Sequence, residues 1–291
     1  GDSDLLLVHT CAVTSEATRQ ALRDIRKFKR QNPKGKVVVT GCGAQVDTEV
    51  FDQCEQVDLI VANSHKGQLK NHFERLMKRQ RKIRVYKSNI FKKSDGEAGG
   101  GIEKNHTRSF LKIQDGCNSF CTFCIIPFAR GKSRSIPASE LIRRVEQLYR
   151  EGVKEVVLSG VHIGDYYDES LMGRGDLAAL VAYLLKYTSM PRFRLTSLEP
   201  IELTEPLLDL VSDSRLCPHF HMSIQSANSK ILNQMKRNYG AMEVEWILNE
   251  IARRCSDAFV GMDVIVGFPQ ETASDFNETY KRLENLPWTR I

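Results

Sequence analysis

Three cysteines, Cys117, Cys121 and Cys124, stand within eight residues in the string DGCNSFCTFCIIPFARG, a C-x3-C-x2-C spacing. Thiolates so close on one loop can converge on a single metal centre. They hold three irons of a [4Fe–4S] cluster and leave the fourth open to a ligand, to which it can deliver an electron. Zinc is the weaker reading, because structural zinc asks for four ligands, usually in two pairs, and no second Cys/His pair has that spacing. Eight cysteines in 291 residues, without a basic leader ahead of GDSDLLLVHT, do not form a secreted disulfide scaffold. They point to a reducing, cytoplasmic compartment. Cys54, Cys217 and Cys255 fall in no motif and read as packed thiols.

The elements that must position the loop read as alternating strands and helices. Before it come a strand at 4–8, a helix from Ser15 (the expected N-cap) to about Arg30, and a strand at 36–41. A helix at 44–53, a strand at 57–62 and a helix at 66–80 follow. This alternation predicts a parallel sheet covered by helices. The polar stretch 94–106, with GEAGGG, reads as a linker and domain boundary, not as a phosphate loop. After it, strands at 109–115, 155–160, 192–198, 219–225 and 259–267, with helices between them and no hairpins, predict a full or partial α/β barrel. The cysteine loop then lies after the first barrel strand, at the face where such barrels carry their sites.

Charge is regional. The net +6 divides into 19 Lys/Arg against 10 Asp/Glu in residues 1–93 and 23 against 26 in 94–291. Clustered cations gain affinity for phosphates by counterion release. Few aromatics interleave them, so sequence-specific readout is not expected there. Apolar runs stay far below the ~18 residues of a membrane span.

The cysteine loop on the first barrel strand resembles the hallmark of radical S-adenosylmethionine (SAM) enzymes, and KIQDGCNSFCTFCIIPFARGKSRS is similar to their methylthiotransferase branch. HTCAVTSEA, VTGCGAQ, VLSGVHIGDY, RLTSLEP, HFHMSIQSANSKIL with MKR, and DVIVGFPQET follow in the family's order, over nearly all of residues 4–291. The resemblance implies an α/β chain: an N-terminal parallel-sheet domain at 1–93, the linker, and a partial (β/α)6 barrel at 107–291. Both ends would be incomplete. It implies SAM on the cluster held by Cys117, Cys121 and Cys124, with further SAM contacts from Phe123, Ser159, Gly160, Glu199, Gln225, Ile265 and Gly267.

It also implies a second [4Fe–4S] cluster, which carries the sulfur to be inserted. Cys11 and Cys42 match two of its ligands, and the third would come from upstream of this chain. His9, Ala227 and Gln270 depart from the family pattern without touching a ligand. QDGCNSFCTFCIIPFARG, SGVHIGDY and SLEP look most like the bacterial-type branch acting on threonylcarbamoyladenosine in tRNA. Isopentenyladenosine in tRNA, or an aspartate of a ribosomal protein, is the alternative substrate. The partners implied are tRNA, an electron donor and a sulfur source. Arg19, Arg23, Lys78, Arg79, Arg81, Lys82 and Arg130 are the candidate RNA contacts, and the family's tRNA-gripping C-terminal β-barrel lies outside this chain. A zinc-holding, non-catalytic RNA-binding module is the reading from another class.

Overall fold

The computed structural model describes residues 4–78, 83–94 and 107–291, which fold as two compact units: 4–94 with Cys124–Lys132, and 107–123 with Ser133–Ile291. In the first unit β1 (Leu5–Thr10), α1 (Ser15–Gln31), β2 (Lys36–Gly41), α2 (Cys42–Val46), α3 (Thr48–Asp52), β3 (Leu59–Ala62), α4 (Leu69–Met77) and β4 (Val85–Tyr86) succeed one another. The strands make one parallel sheet in the order β1-β2-β3-β4. The three consecutive valines of KVVVTG are buried because both faces of the strand are covered. Val37 and Val39 pack with Ala21, Ile25 and Phe51, and Val38 packs with Leu59, Val61 and Leu76.

Local chemistry moves several expected boundaries. Thr14, not Ser15, caps α1, accepting from the Ala17 amide at 3.2 Å. The helix expected at 44–53 is two helices broken at Asp47, whose carboxylate is taken by the Thr18 hydroxyl of α1 at 3.2 Å. The helix expected at 66–80 begins as a 3-10 turn, Asn63–Gln68, before α4.

The second unit starts with β5 (Arg108–Lys112) and β6 (Gln114–Asp115). After α5 (Ile126–Arg130), which packs with the first unit, come β7 (Arg134–Ser135), α6 (Ala138–Arg150), β8 (Glu155–Ser159), α7 (Leu177–Tyr187), β9 (Phe193–Leu195) and α8 (Glu205–Asp209). Then follow β10 (His219–Gln225), α9 (Ser229–Gln234), α10 (Ala241–Arg254), β11 (Phe259–Val264) and α11 (Ala273–Glu284). β5, β8 and β9 are parallel neighbours. Single bridges, Phe193 to Leu216 and Leu198 to Met222, carry the array on to the parallel pair β10-β11. These five strands, each followed by helix, are the partial barrel. Alternate strand residues, such as Leu158, Leu195, Met222 and Met262, enter the core beneath the helices with Leu141, Leu180 and Leu248. The residues between them face the opposite side. One hairpin departs from the expected pattern: β6 pairs antiparallel with β7, Gln114 with Ser135 and Asp115 with Arg134, closing the base of the cysteine loop. Two-residue strands are too short to show periodicity.

Candidate metal centre

The loop leaves β6 through Gly116 at φ +80°, a conformation that favours glycine. Gln114, fully buried, sets its course. Its side-chain amide donates to the Gly116 carbonyl at 2.7 Å and the Ser133 hydroxyl at 2.8 Å, and its oxygen accepts from the amides of Val161 and His162 at 3.1 and 2.9 Å. One side chain thus ties the cysteine loop to the loop after β8. Gly160 is needed where it stands because an added Cβ would lie 2.9 Å from the Gln114 carbonyl oxygen. Thr122 anchors the far side of the loop to α9, through its amide to the Met235 carbonyl at 3.2 Å and its hydroxyl to the Gln234 carbonyl at 3.1 Å.

Two of the three thiols sit against cationic donors. Cys117 Sγ lies 3.4 Å from His162 Nδ1 and accepts from the Ser119 amide at 3.4 Å. Burial alone would push this thiol up, but His162 and Ser119 outweigh it and hold the Cys117 pKa below its ordinary value. Cys121 Sγ accepts from Arg237 Nη1 at 3.0 Å. Arg237 also donates to Glu199 at 2.8 Å, the Ser223 carbonyl at 3.0 Å and the Tyr239 hydroxyl at 3.0 Å. Cys124 is half-buried and opens the segment that packs with the first unit.

The two cations share a buried set of acids. His162 pairs with Asp165 at 3.4 Å, Glu199 at 3.4 Å and, most closely, Glu202. Burial opposes its charge, but Asp165, Cys117 and Glu202 hold it protonated well above the usual histidine range. Burial raises the Glu199 pKa against the pull of Arg237. Cys117, His162 and Asp165, or His162, Glu199 and Glu202, cluster closely enough to surround a metal ion. A ligating histidine must be neutral, so these groups read as an ion-pair network behind the thiols. Thiols in a tight C-x3-C-x2-C loop, with Cys117 against His162 and Cys121 accepting from Arg237, fit an iron–sulfur cluster.

The remaining expected SAM contacts fall at or after strand ends. Phe123 lies edge-on to Phe268 at 6.4 Å. Ser159 ends β8 and accepts the Ile113 amide at 2.8 Å. Gln225 ends β10 at φ +61°, unusual for a non-glycine residue, and its carbonyl accepts the Ile265 amide at 2.9 Å. Gly267, at φ +77°, gives its amide to Glu271. Glu199 joins the thiol network directly. Sequence reading missed His162, Glu202, Arg237 and Gln114; Arg237 has its partners 38 and 116 residues away.

In the first unit Cys11 and Cys42 follow neighbouring strands whose last residues, Thr10 and Gly41, pair in register. Glycine lets the chains come close: a Cβ on Gly41 would lie 2.4 Å from the Thr10 carbonyl oxygen, and one on Gly43 would lie 3.0 Å from that of Cys11. Cys42 is buried and faces the Asn63 amide at 3.5 Å, which also donates to the Ala129 carbonyl at 2.9 Å. Cys11 is exposed and accepts the Val13 amide at 3.4 Å. Cys54 precedes β3, at the other end of the sheet, and is packed in the core.

Of the candidate RNA contacts, Arg19 and Arg23 both pair with Glu16. Lys78 caps the C-terminus of α4 and is exposed. Arg130 ends α5 and helps to lower the pKa of His9, after burial and Lys66. Arg79, Arg81 and Lys82 lie outside the described residues, as does most of the stretch read as a linker. Among the described residues no helix is long and apolar enough to cross a membrane.

A loop of three cysteines at the mouth of a partial parallel barrel defines a class. Residues 111–283 match the radical SAM superfamily, and residues 1–62 match Uncharacterized protein family UPF0004. The chain is 38% identical over 288 residues to the threonylcarbamoyladenosine tRNA methylthiotransferase MtaB of Aquifex aeolicus, covering 98% of this chain and 69% of that protein. It is 34% identical to the MtaB of Bacillus subtilis, covering 99% and 64%. It is 31% identical to the tRNA-2-methylthio-N(6)-dimethylallyladenosine synthase of Carboxydothermus hydrogenoformans, covering 95% and 64%. The chain therefore belongs to the radical SAM superfamily and, within it, to the methylthiotransferase family. It spans about two thirds of the length of these relatives. The fold is also that of the radical SAM methyltransferase TsrM of Kitasatospora setae, at TM-score 0.70 and 12% identity, covering 98% of this chain and 60% of that one. The family implies SAM and a [4Fe–4S] cluster.

Proposed function

We propose that the protein methylthiolates threonylcarbamoyladenosine in tRNA. The observation that carries this is the identity to relatives of that name, 30–38% for five of them and 33% or more for four, against 28–31% for three dimethylallyladenosine synthases. Cys117, Cys121 and Cys124 would hold a [4Fe–4S] cluster, which would supply the electron for SAM cleavage. Against burial, His162 lowers the pKa of Cys117, and Arg237 fixes the direction of the Cys121 sulfur by a hydrogen bond. Glu199, anchored by Arg237, together with Ser159, Gly160 and Gln225, binds the polar parts of SAM. Phe123, Ile265 and Gly267 border its adenine. Cys11 and Cys42 are two ligands of the second, sulfur-carrying cluster.

The groove beside α1 supports a phosphate-rich partner. Arg26, Lys27 and Arg30 line it and carry no ion pair among the described residues. Mass spectrometry of tRNA nucleosides from cells lacking the gene tests the reading. Loss of the methylthio form of threonylcarbamoyladenosine alone is expected. Loss of the dimethylallyl derivative instead, or of a modified ribosomal aspartate, would overturn it.

A further inference from the structure

The barrel carries a polar group that neither cluster nor SAM accounts for. Ser197 Oγ and His221 Nδ1 share a hydrogen bond of 2.7 Å, and His221 Nε2 stands 3.6 Å from Asp263 Oδ2. The three come from the segment after β9, from β10 and from β11. Each is adjacent in the chain to a core residue: Ser197 to Leu198, His221 to Phe220 and Met222, and Asp263 to Met262. Strand alternation therefore turns His221 and Asp263 away from the helices, onto the open inner face of the barrel, and the hydrogen bond to His221 brings Ser197 beside them. Gln225, on the same face of β10, lies one turn of the pleat pattern beyond Ser223 toward the strand's C-terminal end.

The space around the imidazole is built. His221 pairs in register with Gly261, and a Cβ on that glycine would lie 3.3 Å from His221 Cδ2 and 3.0 Å from Phe259 Cε1. Asp263 is 67% exposed, so its carboxylate is open to solvent, and His221 is the basic side chain beside it among the described residues. The order Ser–His–Asp is also that of a hydrolytic triad. A separation of 3.6 Å is too long for the orienting hydrogen bond such a triad needs, so the serine is not an activated nucleophile.

We propose that Asp263 binds the substrate heterocycle, its carboxylate accepting a hydrogen bond from an N–H on the edge of a purine base, with His221 and Ser197 as the residues that position it. A carboxylate accepts only, and a purine carrying an exocyclic nitrogen offers an N–H on the edge beside its ring nitrogen. Ser197 fixes the ring of His221, which stands beside the carboxylate at 3.6 Å and, without a hydrogen bond to it, limits the directions it can take. This inference rests on the reading of the protein as a nucleoside-modifying enzyme.

The test compares wild type, Asp263→Ala and Ser197→Ala as full chains, purified without oxygen and loaded with iron and sulfide, on tRNA lacking the modification. Methylthiolated nucleoside and 5′-deoxyadenosine are both measured, along with the KM for tRNA. Asp263→Ala is expected to lower nucleoside formed per 5′-deoxyadenosine by about tenfold or more, the loss of one well-placed base contact. Ser197→Ala is expected to lower it about threefold with little change in KM, and Ser197→Thr to restore it, because the hydroxyl acts only through His221. If Asp263→Ala disturbs folding, as read by circular dichroism, the Ser197 pair decides. An unchanged ratio in a folded Asp263→Ala, or in Ser197→Ala, overturns the assignment while leaving the proposed function intact. A wild type whose iron content shows both clusters loaded, and which cleaves SAM but forms no methylthiolated nucleoside, overturns the proposed function, and the purine assignment falls with it.

Discussion

The barrel loop and the edge of the N-terminal sheet both present thiols at the C-terminal ends of parallel strands, but they treat the sulfur differently. At the barrel, Cys117 and Cys121 face His162 and Arg237, cations neutralised from behind by Asp165, Glu199 and Glu202. At the sheet edge, Cys42 meets the neutral amide of Asn63 and Cys11 a backbone amide. A buried cation favours thiolate and fixes its direction before any metal arrives, whereas a neutral amide does so weakly. The barrel site is therefore preorganised for anionic sulfur by this chain alone. The sheet edge supplies close approach, through Gly41 and Gly43, with little charge.

The largest effect separating the two sites is loss of a ligand. Cys121→Ser is expected to abolish SAM cleavage, by about three orders of magnitude or more, since two thiolates cannot hold the cluster in its open-iron form. Cys42→Ser is expected to leave SAM cleavage within about a factor of three while removing iron. The measurement is 5′-deoxyadenosine formed under reduction, alongside iron content. Equal losses in both variants would break the distinction.

Next in size is the buried cation. Arg237 and Glu199 have side chains only 6% and 11% exposed, so Arg237→Met leaves a carboxylate that burial already disfavours with only the longer contact to His162. A cost of about 3–5 kcal/mol in urea unfolding is expected. Arg237→Lys should recover part of this, because one ammonium cannot reach Cys121, Glu199 and Ser223 together. A Met variant as stable as wild type would show that the network is dispensable.

At the sheet edge the matching change is smaller. Asn63→Leu removes the bond to the Ala129 carbonyl and the weak contact to Cys42. One neutral buried hydrogen bond, with its acceptor left unpaired, is worth about 1–2 kcal/mol. Unfolding monitored in urea checks the value, and a cost equal to that of Arg237→Met would erase the contrast between the sites.

What sequence conveys differs between the two regions for the same physical reason. The strands were legible as apolar runs because parallel strands are covered on both faces, as Val37, Val38 and Val39 show. The cysteine loop was legible because its ligands sit within eight residues. Glu199 was legible only through a motif, and the structure adds its partners. His162, Arg237 and Ser197 carry no periodicity, and only the barrel's closure brings them to partners across the chain. The break at Asp47 was hidden because the group that captures its carboxylate, Thr18, lies 29 residues away.

The smallest expected effect tests where the first unit keeps its charge. Asp58, ahead of β3, accepts from Lys36 at 2.8 Å, Lys29 at 3.0 Å and the Val37 amide at 3.0 Å, at the end of the sheet opposite the thiols. Burial alone would push its carboxyl up, but Lys36, Val37 and Lys29 outweigh it and hold the folded pKa below the ordinary value. A carboxylate depressed on folding stabilises above its unfolded pKa, and that contribution is lost as pH falls through the folded one. Asp58→Asn is therefore expected to cost about 1 kcal/mol at pH 7, discounted for solvent screening, and progressively less below about pH 4. Urea unfolding at pH 7 and pH 3 checks both the size and the sign. A gap that widens in acid would mean that the depressed carboxylate does not stabilise this end of the sheet.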